Sequence, residues 1–333
     1  MLPSQVLIPD MRYEDQHGLW NYCAPANLSM MLTHWGWQGN RETVGPYLKP
    51  VEKDKNVMPY EMANYVVEQT SLNIIIRYGG TTDVIRRLIA SGYPVLIEKG
   101  VYFYETLTGR EGWMGHYNVI KGYDDTTAEF IVNDSYIKGG ENHHFLYEEI
   151  IGQWRSFNYV FIVVYPPAEE QNVISALGVY ADDSAADGIA FEMARNEINT
   201  LAGIDRFFAM YNLGTSNVNI NDYLAASIAY DNAFNYYASL PEERRPWRML
   251  WYQTGPYAAY YYTARYQDVI NLASQTIDTA SDPYLEESYY WRARAKVSAG
   301  DQDGAIQDLR TSLELHPDFI PSVELMHSLG IYE

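Results

Sequence analysis

The residues of this chain best suited to covalent chemistry are Cys23, His116 and Asp134. Cys23 is the only cysteine in 333 residues, and it begins an apolar run that reads as a helix. A cysteine at a helix N-terminus faces the positive end of the helix dipole, which favours the thiolate over the thiol. His116 begins a predicted strand and Asp134 ends the next one. This chain order is typical of thiol proteases, although a lone cysteine is more often a small buried hydrophobic residue.

The predicted strands that carry His116 and Asp134 are joined by a short polar loop, residues 124–128. Antiparallel pairing around a loop centre near residue 125 puts position 116 opposite roughly position 134. The two side chains would then be cross-strand neighbours, with Cβ atoms about 5 Å apart. We therefore predict that His116 is the general base for Cys23 and that Asp134 orients the imidazole.

A thiol protease also needs donors for the oxyanion of the tetrahedral intermediate. Gln16 lies seven residues before Cys23 and is the candidate donor. Its side-chain amide and the backbone N–H of Cys23 could hold the oxyanion together.

The remaining histidines are weaker candidates. His17 is a second candidate base, but it lies in the same loop as Gln16, whereas triad members usually come from separate elements. His143 and His144 are adjacent on a strand, so they face opposite sides and cannot chelate one metal ion. With no further ligands at a useful spacing, the sequence predicts neither a metal site nor a cofactor. His34 is predicted to pack between tryptophans, and His316 and His327 are predicted to lie on the surface.

The first half of the chain alternates short helices and strands. Helices are predicted over 23–36, 58–70, 81–91 and 147–153. Strands are predicted over 73–78, 94–99, 116–123, 129–134 and 158–165. A leading helix followed by a mostly antiparallel sheet is an α+β pattern.

Beyond Pro166-Pro167 the strands disappear and helical pairs repeat. Ala226, Val269 and Ala305 begin similar 4-then-3 spacings of mostly small residues, at intervals of roughly 40 residues. This pattern resembles the tetratricopeptide repeat, in which small residues such as Gly214 and Ala226 would mark the close approach of two helices. We predict a first domain over 1–165, a linker over 166–188, and helical repeats with a C-terminal capping helix over 189–333.

The bulk composition narrows the possible functions. The net charge is −20, and most of the excess acid lies after residue 165. Such a chain should repel nucleic acid and anionic membrane surfaces. No apolar run approaches the roughly 20 residues of a membrane helix. The first ten residues do not read as a signal peptide, and a trimmed leader would look the same, so the compartment stays open.

Residues 10–165 resemble the papain-like bacteriocin-processing (double-glycine) peptidase family, in particular its stand-alone bacterial relatives. The matching stretches are Gln16, then Trp20 to Ala26, then Gly115 to Asp124, and then Val132-Asn133-Asp134. The resemblance implies Cys23 as nucleophile, His116 as base, Asp134 as orienting residue and Gln16 as oxyanion donor. The chain departs from the family pattern at Ala24, where a glycine is usual, and in the long stretch between Gln16 and Cys23.

The first hypothesis is therefore a cysteine peptidase whose helical repeats bind a polypeptide substrate or partner. The departure at Ala24 motivates an alternative, a catalytically inactive papain-like scaffold that binds peptides. A third option keeps the Cys-His-Asp chemistry but changes the acceptor, as in transglutaminases and amidases.

Overall fold

The structure is a computed structural model that describes residues 2–9, 11–105 and 110–332. Residues 1, 10, 106–109 and 333 lie outside the described residues. Residues 1 and 333 are the outer ends of the two predicted domains, and residue 10 is the first residue of the region that resembles the peptidase family.

The first part of the chain contains the strands of the described residues and a set of short helices. The strands are β1 Gln5–Leu7, β2 Asn73–Arg77, β3 Val95–Glu105, β4 Arg110–Asp124, β5 Glu129–Asn133, β6 His143–Leu146 and β7 Phe161–Tyr165. The helices are α1 Cys23–His34, α2 Arg41–Leu48, α3 Pro59–Gln69, α4 Thr82–Ala90 and α5 Tyr147–Trp154. Each helix and strand predicted for this half is present, with ends that shift by up to several residues because local patterns define the centre of an element better than its ends.

The strands form one antiparallel sheet in the order β2-β7-β3-β4-β5-β6, and β1 pairs with the end of β4. Neighbouring residues of β3 point to opposite faces of the sheet, as strand geometry requires. Leu96 packs with α1, α2 and α3 on one face. Val95 and Ile97 pack with α4 and α5 on the other. The sheet is therefore the central layer of an α+β domain with helices on both faces.

The register between β4 and β5 differs from the predicted one. Val119 lies opposite Asn133, two residues away from the expected pairing, and a bulge follows between Ile120 and Gly122. His116 pairs instead with Lys99 of β3. The prediction that His116 and Asp134 face each other across one ladder was wrong because the turn is centred between residues 126 and 127, where Asp124 pairs with Glu129, and because β5 ends at Asn133.

The rest of the chain is helical in the residues described. The helices are α6 Glu170–Leu177, α7 Asp183–Thr200, α8 Gly203–Asn219, α9 Tyr223–Ser239, α10 Met249–Tyr252, α11 Gly255–Tyr262, α12 Tyr266–Thr279, α13 Glu286–Ala299, α14 Gln302–Leu315 and α15 Ile320–Ser328. The segment predicted as a linker, 166–188, holds α6 and the start of α7. Val173 and Leu177 of α6 are fully buried against the first domain. None of the described helices has the length and apolarity needed to cross a membrane.

Successive helices of this region pack against each other. Gly214 of α8 faces the ring of Tyr230 of α9 so closely that a Cβ atom there would lie 2.6 Å from a ring carbon. Ala226, Ala233 and Ala273 are fully buried in the same core. The predicted fold class, an α+β domain followed by an all-α domain, is confirmed.

The two domains share a core. Trp113 and Phe157 of the first domain are buried together with Phe207, Phe208 and Tyr211 of the helical domain.

Polar contacts also cross the domain boundary. Arg155 forms salt bridges with Glu197 at 3.0 Å and with Asp205 at 2.8 Å. A mixed interface of this kind holds the helical domain in a defined position against the sheet.

Candidate active site

Cys23 is the first residue of α1 and is partly exposed to solvent. The helix has no side-chain N-cap, so the free backbone N–H groups of its first turn lie near the thiol. The fully buried Asn27 holds this end of the helix in place. Its Nδ2 donates to the carbonyl oxygens of Cys23 and Tyr117 at 2.8 and 2.9 Å, and to Oγ of Ser135 at 2.9 Å.

The His116 ring is buried between the thiol and a carboxylate. Its Nε2 donates to Oδ1 of Asp134 at 2.8 Å. The ring also lies beside Cys23: the two residues line one small cavity, and the hydrogen bonding and charge of the ring act on the thiol. Because Nε2 faces Asp134, Nδ1 is the ring atom left to serve the thiol. The structure thus brings thiol, imidazole and carboxylate together in one place.

The pKa of the thiol and the pKa of the imidazole each shift so that the group's own charged form is favoured, the thiolate of Cys23 and the imidazolium of His116. Burial alone would lower the pKa of His116, but the charge and hydrogen bond of Asp134, together with Cys23, raise it to about 9. Burial alone would raise the pKa of Cys23, yet the hydrogen bond and charge of His116, the backbone N–H of Tyr117 and the charge of Lys49 lower it. These shifts favour a thiolate–imidazolium pair near neutral pH.

Asp134 is held in its ionised form. Burial would raise its pKa, but the charge and hydrogen bond of His116 and the charge of Lys99 keep it well below its usual range. Lys99 Nζ lies 3.9 Å from Oδ2 of Asp134. Oδ1 also accepts from the backbone N–H of Tyr136 at 2.8 Å. A carboxylate fixed in this way can orient the imidazole and stabilise its protonated form.

Gln16 reaches the same place from the loop before α1. Its Oε1 accepts from Oγ of Ser135 at 2.8 Å, and its backbone N–H donates to the Ser135 carbonyl at 2.8 Å. This anchoring leaves the side-chain N–H₂ group without a partner among the described residues. Gln16 lines one small cavity together with Cys23 and His116.

That cavity has a volume of about 40 Å³. One of its walls comes from the helical domain, where Tyr252 at the end of α10 lies against Gly115. A Cβ atom on Gly115 would lie 2.8 Å from the Tyr252 ring, so only glycine fits there. The cleft beside Cys23 is therefore built by both domains.

The other histidines lie away from this cleft. His17 is exposed and lies beside Asp15, with Nδ1 3.4 Å from its carboxylate. His34 makes an edge contact with Trp35 and bonds to the Gly92 carbonyl at 3.1 Å. His144 pairs with Glu129 at 3.1 Å. His316, which the sequence places on the surface, is in fact largely buried next to Glu286.

Sequence reasoning missed three residues at the site. Lys99 is buried beside Asp134, Glu98 is buried in the cleft wall, and Tyr252 arrives from the second domain. Lys99 and Glu98 lie in an apolar strand, where a charged pair is an unusual signal that could have marked them. Tyr252 is one of 31 tyrosines and carries no such signal.

The sequence model of the Peptidase_C39 like family matches residues 8–162. This range includes Gln16, Cys23, His116 and Asp134 and spans just under half of the chain. Over this range the N-terminal domain is similar to the C39-like cysteine peptidases. A search of curated proteins found no match for the chain.

Two solved structures also resemble the peptidase domain. One is described as a C39-like peptidase from Bacillus anthracis; it is 14% identical, with a TM-score of 0.39, over 49% of this chain and 98% of its own. The other is xylellain, a cysteine protease from Xylella fastidiosa; it is 16% identical, with a TM-score of 0.37, over 50% of this chain and 87% of its own.

Ala24, the departure from the family pattern, is 1% exposed and lines the cleft of the peptidase domain. It lines the same small cavity as Cys23.

Proposed function

We propose that this protein hydrolyses peptide bonds with Cys23 as nucleophile, His116 as general base and acid, and Asp134 as orienting residue. The observation that supports the proposal most is the meeting of the three side chains: Cys23 and His116 line one cavity, and Nε2 of His116 is 2.8 Å from Oδ1 of Asp134. The same three residues carry the resemblance to thiol proteases in the sequence.

In the proposed reaction, the Cys23 thiolate attacks the scissile carbonyl carbon and forms a tetrahedral intermediate. The His116 imidazolium then donates its Nδ1 proton to the leaving amine, and an acyl-enzyme remains. Neutral His116 next takes a proton from water, and the resulting hydroxide attacks the thioester. Collapse of the second intermediate releases the acid and restores the thiolate–imidazolium pair.

The proposed oxyanion donors are the Gln16 side-chain N–H₂ group and the Cys23 backbone N–H. Two features support Gln16: its amide oxygen is fixed by Ser135, and its amide nitrogen has no partner among the described residues. A donor that is oriented before the reaction stabilises the developing charge without a cost of reorganisation.

We further propose that the helical domain binds the polypeptide on which the peptidase domain acts. A second cavity of about 580 Å³ lies between the two domains. It shares Glu98 and Tyr252 with the small cleft beside Cys23. A substrate segment held between the domains would therefore run toward the nucleophile.

The direct test replaces Cys23 by Ala and by Ser and measures hydrolysis of a peptide library by mass spectrometry. Both variants are expected to lose activity by at least about 10³-fold, because the nucleophile is absent or poorly ionised. Thr33→Ala, at a partly buried position of the same helix, is the control and should keep activity. Unchanged hydrolysis in Cys23→Ala would refute the proposal.

The alternative is a scaffold that binds peptides without cleaving them. The observation in its favour is the narrow cleft, in which Ala24 and Tyr252 leave only about 40 Å³. Iodoacetamide tests whether Cys23 is activated or is a buried structural thiol, since an activated thiolate is alkylated rapidly at neutral pH. Rapid alkylation without hydrolysis of any peptide would favour the scaffold.

A further inference from the structure

A second cluster of titratable side chains lies where the peptidase domain meets the helical domain. It contains Asp54 and Glu61 from the first domain and Glu286, Glu287 and His316 from the second. The four carboxylate residues are 3%, 8%, 2% and 6% exposed, in that order. Burial of several carboxylates together is costly unless cations compensate their charge.

No lysine or arginine within the described residues forms a salt bridge with any of these four carboxylates. The charge of the buried Lys49 acts on Asp54, but its ammonium group donates to the backbone carbonyls of Trp20 and Glu52. Among the described residues, only His316 forms ion pairs with these carboxylates: its Nδ1 is 3.1 Å from Glu286 and 3.9 Å from Glu61. In the described part of the chain, four buried carboxyl groups therefore share one directly paired basic side chain, His316.

The donor atoms have the spacing of a metal site. One carboxylate oxygen of Asp54, one of Glu286 and a ring nitrogen of His316 lie within 4.8 Å of one another. Around a zinc ion with bonds of about 2.1 Å, ligand atoms are about 3.4 Å apart. Small side-chain rotations would therefore bring these three donors onto one ion.

An independent observation points to a missing ligand. Oε1 of Glu287 is buried and has no hydrogen-bond partner among the described residues. Glu287 follows Glu286 at the start of α13, and the charges of Asp54, Glu61 and Glu286 all act on it. A buried carboxylate oxygen is rarely left unsatisfied in a folded protein, so it needs an explanation.

We propose that Asp54, Glu286 and His316 bind a divalent transition-metal ion, such as Zn²⁺ or Mn²⁺, with Glu61 and Glu287 as further oxygen donors. Mixed carboxylate and imidazole ligands suit these ions, whereas Ca²⁺ prefers oxygen alone. Because Asp54 belongs to the first domain and the other two to the second, the ion would clamp the domains together.

The test uses full-length, tag-free protein with Cys23→Ser, so that the thiol cannot bind the metal and activity plays no part. After chelation and dialysis, isothermal titration with Zn²⁺ and with Mn²⁺ is expected to show one site per chain. The melting temperature should rise by about 3 °C or more at a free metal concentration about a hundredfold above Kd.

His316→Gln and Asp54→Asn keep the shape of each side chain and should each weaken binding at least tenfold. His327→Gln, an exposed histidine outside the cluster, is the matched control and should bind as the parent does. No binding, binding that survives both cluster substitutions, or a response to Ca²⁺ alone would each overturn the proposal.

Should a cluster variant fail to fold, Co²⁺ bound to the Cys23→Ser parent still decides the question. Visible absorption of an ion with oxygen and nitrogen ligands supports the site. A spectrum of free aqueous Co²⁺ throughout the titration contradicts it. Because every readout is made without the nucleophile, failure here leaves the proposed peptidase activity untouched.

Discussion

At the scale of single residues, the charge of Asp134 raises the pKa of the His116 imidazole. Asp134 lies 2.8 Å from His116 and is the main reason that the pKa of His116 rises to about 9. The imidazolium therefore persists until the pH passes about 9, while Cys23 already ionises below its usual range. The thiolate–imidazolium pair exists between these two limits.

The first prediction concerns pH. We expect kcat/KM to rise as Cys23 ionises and to fall above pH 9, where neutral His116 can no longer protonate the leaving amine. Alkylation of Cys23 by iodoacetamide needs only the thiolate, so its rate should not fall at high pH. Profiles that decline together above pH 9 would contradict this assignment.

Substitution of Asp134 separates charge from orientation. Asp134→Asn keeps an acceptor for His116 but removes the negative charge, so the alkaline limb should move from about 9 toward the ordinary histidine value. Asp134→Ala removes both, and kcat/KM should fall by at least about 10²-fold. The measurement is the pH dependence of hydrolysis for both variants, and an unmoved alkaline limb in Asp134→Asn would count against the ion pair.

Gln16 provides the test of the oxyanion site. Gln16→Ala should lower kcat by about 10²–10³-fold with little change in the rate of thiol alkylation, because the donor acts only on the tetrahedral intermediate. Ser135→Ala removes the hydrogen bond that orients the amide and should cause a smaller loss. Equal losses in alkylation and hydrolysis would indicate that Gln16 supports the fold instead.

At the scale of elements, the position of α1 determines where Cys23 lies. The helix is joined to the sheet and to the loop after β5 through one buried side chain, Asn27. A single amide can connect three backbone segments because its N–H₂ group carries two donors and can share them. The loop before α1 is held in a similar way, because Gln16 in this loop accepts a hydrogen bond from Ser135 in the loop after β5.

Removal of the hydrogen bonds of Asn27 should lower the free energy of unfolding. Asn27→Ala would leave the carbonyl of Tyr117 without its donor in a buried place, and we expect a loss of about 2–4 kcal/mol in the free energy of unfolding. Urea denaturation measures the loss. Asn199→Ala, on an exposed face of α7, should change stability by no more than about 0.5 kcal/mol. Equal effects of the two substitutions would show that Asn27 is not the anchor.

At the scale of the whole molecule, the helical domain completes the active-site cleft. Tyr252 contacts Trp113 and Phe157 of the first domain at ring distances of 5.8 and 6.0 Å. The ring of Tyr252 lies directly against Gly115, next to His116. Access to Cys23 therefore depends on how the two domains sit together.

Tyr252→Ala should open this wall. We expect bulky maleimides to alkylate Cys23 several-fold faster in the variant, with a loss of about 3 kcal/mol in stability from the missing ring. Iodoacetamide, which is small, should react at nearly the parent rate. Tyr252→Phe keeps the ring and is the control. If large and small reagents accelerate equally, local unfolding and not a wider cleft is the cause.

Local sequence patterns determined much of this protein. The helix that begins at Cys23, the strands around His116 and Asp134, and the change to helical pairs after Pro166 all follow from hydrophobic periodicity and turn residues. The roles assigned to Cys23, His116, Asp134 and Gln16 rest on residue type and chain order, and they remain predictions until they are tested.

Only the tertiary structure decided which distant residues share a site. The turn between β4 and β5 is centred later than residue 125 and β5 ends at Asn133, so His116 meets Asp134 beyond the end of the ladder. Tyr252 reaches the cleft, and Asp54 meets His316, only because one domain packs on the other. Periodicity reports contacts within a few turns of chain, whereas these contacts depend on loop paths and domain packing, which leave no periodic signal in the sequence.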